Sequence, residues 1–169
     1  MSISETIVEQ TERALWEVEN VIYCVPDDLW FKKYCDAPMW QHIYHMLHSL
    51  DMWFINPYNY TEPDFHKNNL NNLDVMPISD LTRTEINNYY NSIKNKITEY
   101  IKSLTDDELL TKPQDCPYDK FTLMLAQYRH LHTHMGMIMG FIIDDKGLWP
   151  EVLGLQMPIP DDDNYGIYC

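Results

Sequence analysis

Glycine, basic side chains and paired cysteines are scarce in this chain, and each scarcity removes a class of protein. Five glycines in 169 residues leave few permissive backbone positions, which argues against a loop-rich β architecture. Lysine and arginine number 12 against 26 acids, a formal charge of −14. So acidic a surface repels phosphate backbones and anionic lipid heads, so neither nucleic acid nor a membrane is the expected partner, and solubility is the plain consequence of the charge. No apolar run is long enough to span a bilayer. The opening stretch is acidic and lacks the basic start and apolar run of a secretory signal, so a cytoplasmic location is expected. Cys24, Cys35, Cys116 and Cys169 lie far apart with no CxxC pair, a pattern of reduced thiols rather than of a disulfide frame or zinc knuckle. A Ser-His-Asp spacing, a phosphate-binding glycine loop and a paired-carboxylate signature are also missing.

What remains is a chain 45% hydrophobic and 13% aromatic, too apolar for disorder and of a length that fits one domain, residues 1–169. Ser2 with Glu5 has the spacing of a capping box, followed by apolar residues at three- and four-residue intervals to Val25, which predicts a helix ending before Pro26. Residues 26–37 read as a short turn or one-turn helix, and Asp36 with Pro38 as the start of a second helix running from Met39 to Phe54. Residues 56–80, with three prolines and a run of asparagines, form a long connection, expected to fold over one end through Tyr58, Tyr60 and Phe65. Thr82 with Glu85 opens a third helix, and Thr105 with Glu108 a short turn. The fourth long helix runs from Phe121 to Asp144 and is ended by Gly147. The proline-rich tail is expected to lie along the surface, anchored by Trp149 and Leu153. Four long helices make an all-α four-helix bundle the economical architecture.

The fourth long helix carries the chemistry. At about 100° per residue, Leu123, Ala126, Gln127, His130, His134, Met137 and Phe141 share one stripe, expected to face inward. Two imidazoles four residues apart are spaced to reach a common ion. On the second helix His42, His45 and His48 wind along one side with His45 central, and Asp51 is a candidate to orient a ligand or accept a proton, the plainer alternative being a surface carboxylate. The plainer alternative is that His130 and His134 hydrogen-bond to tyrosine or carboxylate partners. His66 reads as a loop histidine.

At these residues the chain resembles the DinB-like, YfiT-type superfamily of metal-binding four-helix bundles. YHMLHSLDMWF is similar to the family's second-helix pattern, and QYRHLHTHMG to its fourth-helix H-x-x-x-H-x-G. The resemblance implies His45, His130 and His134 as metal ligands, with Gly136 as the glycine after the last. His132 between the two ligands and Met137 where glutamine is often found depart from the commonest form. The family includes thiol-dependent transferases and isomerases that use low-molecular-weight thiols.

Three neutral imidazoles with one open position hold a divalent ion, zinc by default and nickel, iron or manganese by ligand type. Such an ion lowers the pKa of bound water or thiol, so the expectation is a metal-dependent S-transferase or hydrolase acting on a small electrophile. The alternative is a non-catalytic, metal-stabilised binding or stress-response module. The back of the long helix, with Met124, Tyr128, Met135, Met139 and Ile142, is apolar too. Gly136 and Gly140 allow close backbone approach; neighbouring helices of the same bundle would explain both features, and a homodimer is the expectation.

Overall fold

The computed structural model describes residues 2–161 and 164–168, and among them the chain is mainly helical. In order come α1 (Ile3–Cys24), β1 (Lys33–Tyr34), β2 (Ala37–Pro38), α2 (Met39–Trp53), α3 (Arg83–Lys102), the short α4 (Asp106–Leu109) and α5 (Lys120–Lys146). The capping boxes set three of the starts. The Ser2, Thr82 and Thr105 hydroxyls accept from the backbone N–H of Glu5, Glu85 and Glu108, whose carboxylates accept in return from the cap backbone. Each arrangement satisfies donors that a helix leaves orphaned, for about 1 kcal/mol. Helix α5 starts on the Asp119 side chain and ends at Gly147, whose φ of 67° is the left-handed cap that glycine adopts without strain.

The entry into α2 differs from the sequence expectation. Residues 27–29 make one 3-10 turn, as read, but β1 and β2 then pair in a small hairpin in which Lys33 faces Pro38 and Tyr34 faces Ala37. Its two turn residues, Cys35 and Asp36, both have positive φ, which is what a two-residue hairpin turn demands. Asp36 is therefore committed to the turn, and α2 begins after Pro38 with no side-chain cap.

Helix α2 packs against α5 and α3, and α1 packs against the same two. One apolar cluster gathers Val18, Leu47, Ile93, Leu109 and Ile138 from the five helices. The orientation of α5 corrects the reading of its stripe. Its buried residues are Leu123, Met124, Gln127, Leu131, Met135, Ile138 and Ile142, so His130 and His134 lie half-buried on the flank and Met137 is exposed. The helix turns its more apolar side, with Gln127 the one polar residue among those buried, to the core because imidazoles cost more to bury than methionine and isoleucine. The supposed back is thus largely the core face. At Gly136 and Gly140, both exposed, a Cβ would meet nothing within 4 Å, so no neighbour among the described residues uses the space.

Residues 56–80 lie against α2. Leu70 is fully buried and Phe65 packs on the core, whereas Tyr58 points to solvent. The buried Gln41 carboxamide donates toward the carbonyls of Leu70, Asn72 and Val75, at 3.3, 2.9 and 3.2 Å. The tail runs beside α1, but Trp149 is exposed and does not anchor it. Asn20, wholly buried, does: its amide donates to the Glu151 and Gly166 carbonyls and its oxygen accepts from the Gly166 N–H at 2.8 Å. A polar clamp succeeds there because an irregular segment offers unpaired backbone groups that must be satisfied. Cys24, Cys35 and Cys116 are free thiols, and Cys169 lies outside the described residues. Among the described residues, no helix is long and apolar enough to cross a membrane.

Candidate metal centre

The contact between α2 and α5 places the three histidines singled out in the sequence on one spot. His45, His130 and His134 each offer a ring nitrogen within 4.8 Å of the other two. Their ring centroids are 4.6 Å apart for His45 and His134, 4.4 Å for His130 and His134, and 5.6 Å for His45 and His130. Bonds from imidazole to zinc are about 2.0–2.1 Å long, so nitrogens at this spacing are within reach of one ion.

Hydrogen bonding separates a metal centre from a set of structural histidines. His45 Nδ1 lies 2.7 Å from the Asn71 carbonyl oxygen. A carbonyl only accepts, so Nδ1 carries the proton and Nε2 keeps its lone pair, the arrangement an outer partner imposes on a ligating imidazole. The rings of His130 and His134 make no hydrogen bond to the described residues, and the Nδ1 of each is buried without a partner. Leaving a buried polar atom unpaired costs about 1–3 kcal/mol. Among the described residues no tyrosine or carboxylate satisfies these two rings, and the three nitrogens could hold a divalent ion.

Burial and neighbouring imidazoles favour the neutral form of His130 and His134, the form that ligation needs. Burial pushes the His134 pKa down to about 4, helped by repulsion from His45, His130 and His42. His130 is shifted downward for the same reasons, burial first and then His45. His42 is also lowered by burial; its Nε2 donates to the Tyr34 carbonyl at 2.8 Å and its ring meets Phe141 edge-on. His132 points elsewhere: its Nδ1 donates to the Tyr128 carbonyl, and a hydrogen bond with Glu17 raises its pKa.

Asp51 does not orient a ligand. It is buried rather than superficial and accepts from the hydroxyls of Tyr89 at 2.9 Å and Tyr60 at 3.1 Å while pairing with Lys96. The outer partner of His45 is instead a main-chain oxygen from residues 56–80, which no side-chain pattern reveals. Beyond it, His48 Nε2 donates to Glu62 Oε2 at 2.7 Å, the Asn71 amide lies 3.2 Å from His48 Nδ1, and Tyr44 Oη is 2.7 Å from His66 Nδ1. His48, Glu62 and His66 thus form a second group able to hold an ion. In the sequence, the spacing of Glu62 and His66 by four residues was the available signal, hidden by the prolines around it. No protein family, curated protein or solved structure matches this chain.

Proposed function

We propose that this chain is a four-helix bundle of the DinB-like kind that holds a divalent ion, zinc by preference, on His45, His130 and His134 and acts as a metal-dependent S-transferase or hydrolase in the cytoplasm. The observation that carries the reading is the pair of half-buried imidazoles on α5 with no hydrogen bond among the described residues, facing a third imidazole whose tautomer is fixed by Asn71. An ion held by three neutral nitrogens keeps a coordination position open and lowers the pKa of a water or small thiol placed there. The chain's own contribution is to favour the neutral form of His130 and His134 by burial, to orient His45 through the main chain, and to keep other donors occupied. Asp51 and His132 are engaged elsewhere, so no carboxylate of α2 competes for the ion.

A second reading is an ion that only staples α2 to α5 in a binding or stress-response module. One observation favours it: a hollow of about 580 Å³ lined by Glu19, Tyr23, Arg83, Tyr90 and Tyr165 lies between α1 and α3 and includes none of the three imidazoles. Metal analysis of untagged protein tests both readings, and a chain purified with less than a tenth of an equivalent that also fails to take up zinc sinks them together. With metal present, small thiols are screened against electrophiles before and after chelation. Turnover that disappears with the ion supports the enzyme, and turnover indifferent to chelator removes it.

A further inference from the structure

The connection over α2 brings its own ligands. His48, on the turn after His45, meets Glu62 and His66 with one ligand atom from each within 4.8 Å of the others. We propose that these three residues form a second divalent-cation site, weaker than the three-histidine centre, whose filling fastens residues 56–80 over α2.

Both imidazoles approach the same oxygen. Glu62 Oε2 lies 2.7 Å from His48 Nε2 and 3.7 Å from His66 Nδ1. The two rings stack with centroids 5.0 Å apart and planes inclined by 26°, so their edges look toward the carboxylate together. One imidazole is enough to partner that oxygen; two beside it make an N₂O donor set of the kind zinc and other first-row divalent ions accept. His48 is almost fully buried and His66 largely so, while Glu62 is half exposed. A hydrated ion arriving from solvent therefore meets the carboxylate first and the two rings behind it. The acidic surface raises the local concentration of cations at that rim.

Asn71 allows His48 to change partners. With no ion, Nε2 holds the proton and Nδ1 accepts from the carboxamide. An ion on Nε2 requires that proton to move to Nδ1, and a half-turn of the carboxamide presents its oxygen as the acceptor. The ion also displaces the His48 to Glu62 hydrogen bond and competes with the Tyr44 hydroxyl for His66. These exchanged bonds make the site the weaker of the two. Because the Asn71 carbonyl holds His45, an ion here also stiffens the outer partner of the first centre. The site stands on its own donors and does not depend on the three-histidine reading.

Zinc is titrated into the chelator-stripped full chain in competition with a chromophoric chelator. The expected result is two ions per chain, falling to one in both Glu62→Gln and His66→Ala, with the tighter ion kept. The nearly isosteric Glu62→Gln at a half-exposed position leaves the fold intact, which circular dichroism verifies. Tryptic cleavage after the exposed Lys67 should slow at least about tenfold on filling the weaker site, and not in Glu62→Gln. A single ion that survives Glu62→Gln and is lost in His130→Ala overturns this proposal and leaves the first centre standing. A single ion with the opposite behaviour supports it and removes the first centre. Two ions in wild type and in both variants also overturn it.

Discussion

Successive turns of α2 present two histidine groups that differ in what surrounds their nitrogens. Both ring nitrogens of His48 have a protein partner, Glu62 on one side and Asn71 on the other, and Tyr44 meets the Nδ1 of the neighbouring His66. Around His45 only the Asn71 carbonyl is supplied, and the two rings it faces on α5 have no hydrogen-bond partner among the described residues. A satisfied cluster holds its geometry without help and yields hydrogen bonds when an ion comes. An unsatisfied one carries a desolvation cost that an ion removes. Both groups have the right elements for a cation; their difference lies in the state each leaves behind when the ion is gone.

That difference sets the sign of the mutational effects. The largest belongs to His130→Ala, which should weaken the tight ion by more than the 10–100-fold usual for an outer partner, while leaving the metal-free chain as stable as before or slightly more so. Competition with a chelator and a urea titration measure the two halves; a clear loss of stability without metal would mean that the ring has a partner not placed here. Next comes Leu70→Ala, which removes the buried anchor of residues 56–80. About 2–5 kcal/mol of stability should go, together with a drop in tight-ion affinity as Asn71 loosens its hold on His45. Unchanged affinity would break the link between the connection and the centre. His48→Ala should cost the metal-free chain about 1–3 kcal/mol, because two hydrogen bonds of a buried ring, to Glu62 and Asn71, are lost at about 0.5–1.5 kcal/mol each. It is the opposite sign to His130→Ala, and equal responses in urea would erase the contrast between the two groups.

The sequence carried the parts of this arrangement that depend on spacing. Helix starts were legible because Ser2, Thr82 and Thr105 announce themselves with a glutamate three residues on, and the end of α5 because Gly147 occupies a left-handed position. His45, His130 and His134 were chosen together partly from periodicity and partly from resemblance, and the fold brings them to one place. Periodicity failed on rotation: on α5 both sides are apolar, and the stripe holding the histidines was taken for the buried one, although Met124, Leu131 and Ile138 make a better core. It failed again where the main chain acts. Neither the Asn71 carbonyl nor the Cys35 and Asp36 turn has a periodic signature, and Asp51 looked superficial because Tyr60, Tyr89 and Lys96 come to it from elsewhere in the chain.

Acid is the mildest probe of the same contrast. In the unfolded chain a histidine takes its proton near 6.5, but in the folded, metal-free chain burial and neighbouring imidazoles hold His134 down to about 4, and His130 moves the same way. Between those values the unfolded state binds more protons, so these rings make stability decline as pH falls from about 6.5 toward about 4 and contribute no slope above. His132 works in the opposite direction: Glu17 raises its pKa, so its contribution is present below about 6.5 and fades as pH rises through the folded value. It is exposed and solvent screens it, whereas His42 and His66, also lowered by burial, act in the same direction as the α5 pair and are common to both chains compared below. Thermal melts of the metal-free chain and of a His130→Ala, His134→Ala double variant, taken from about pH 8 to about pH 4.5, should run parallel in the upper half and diverge in the lower, the variant losing less. Adding zinc should stabilise the wild type at pH 8 and progressively less in acid, as protons claim the nitrogens the ion needs. Curves that stay parallel throughout would mean that the two α5 rings are open to water, and the distinction between a satisfied and an unsatisfied group would go with them.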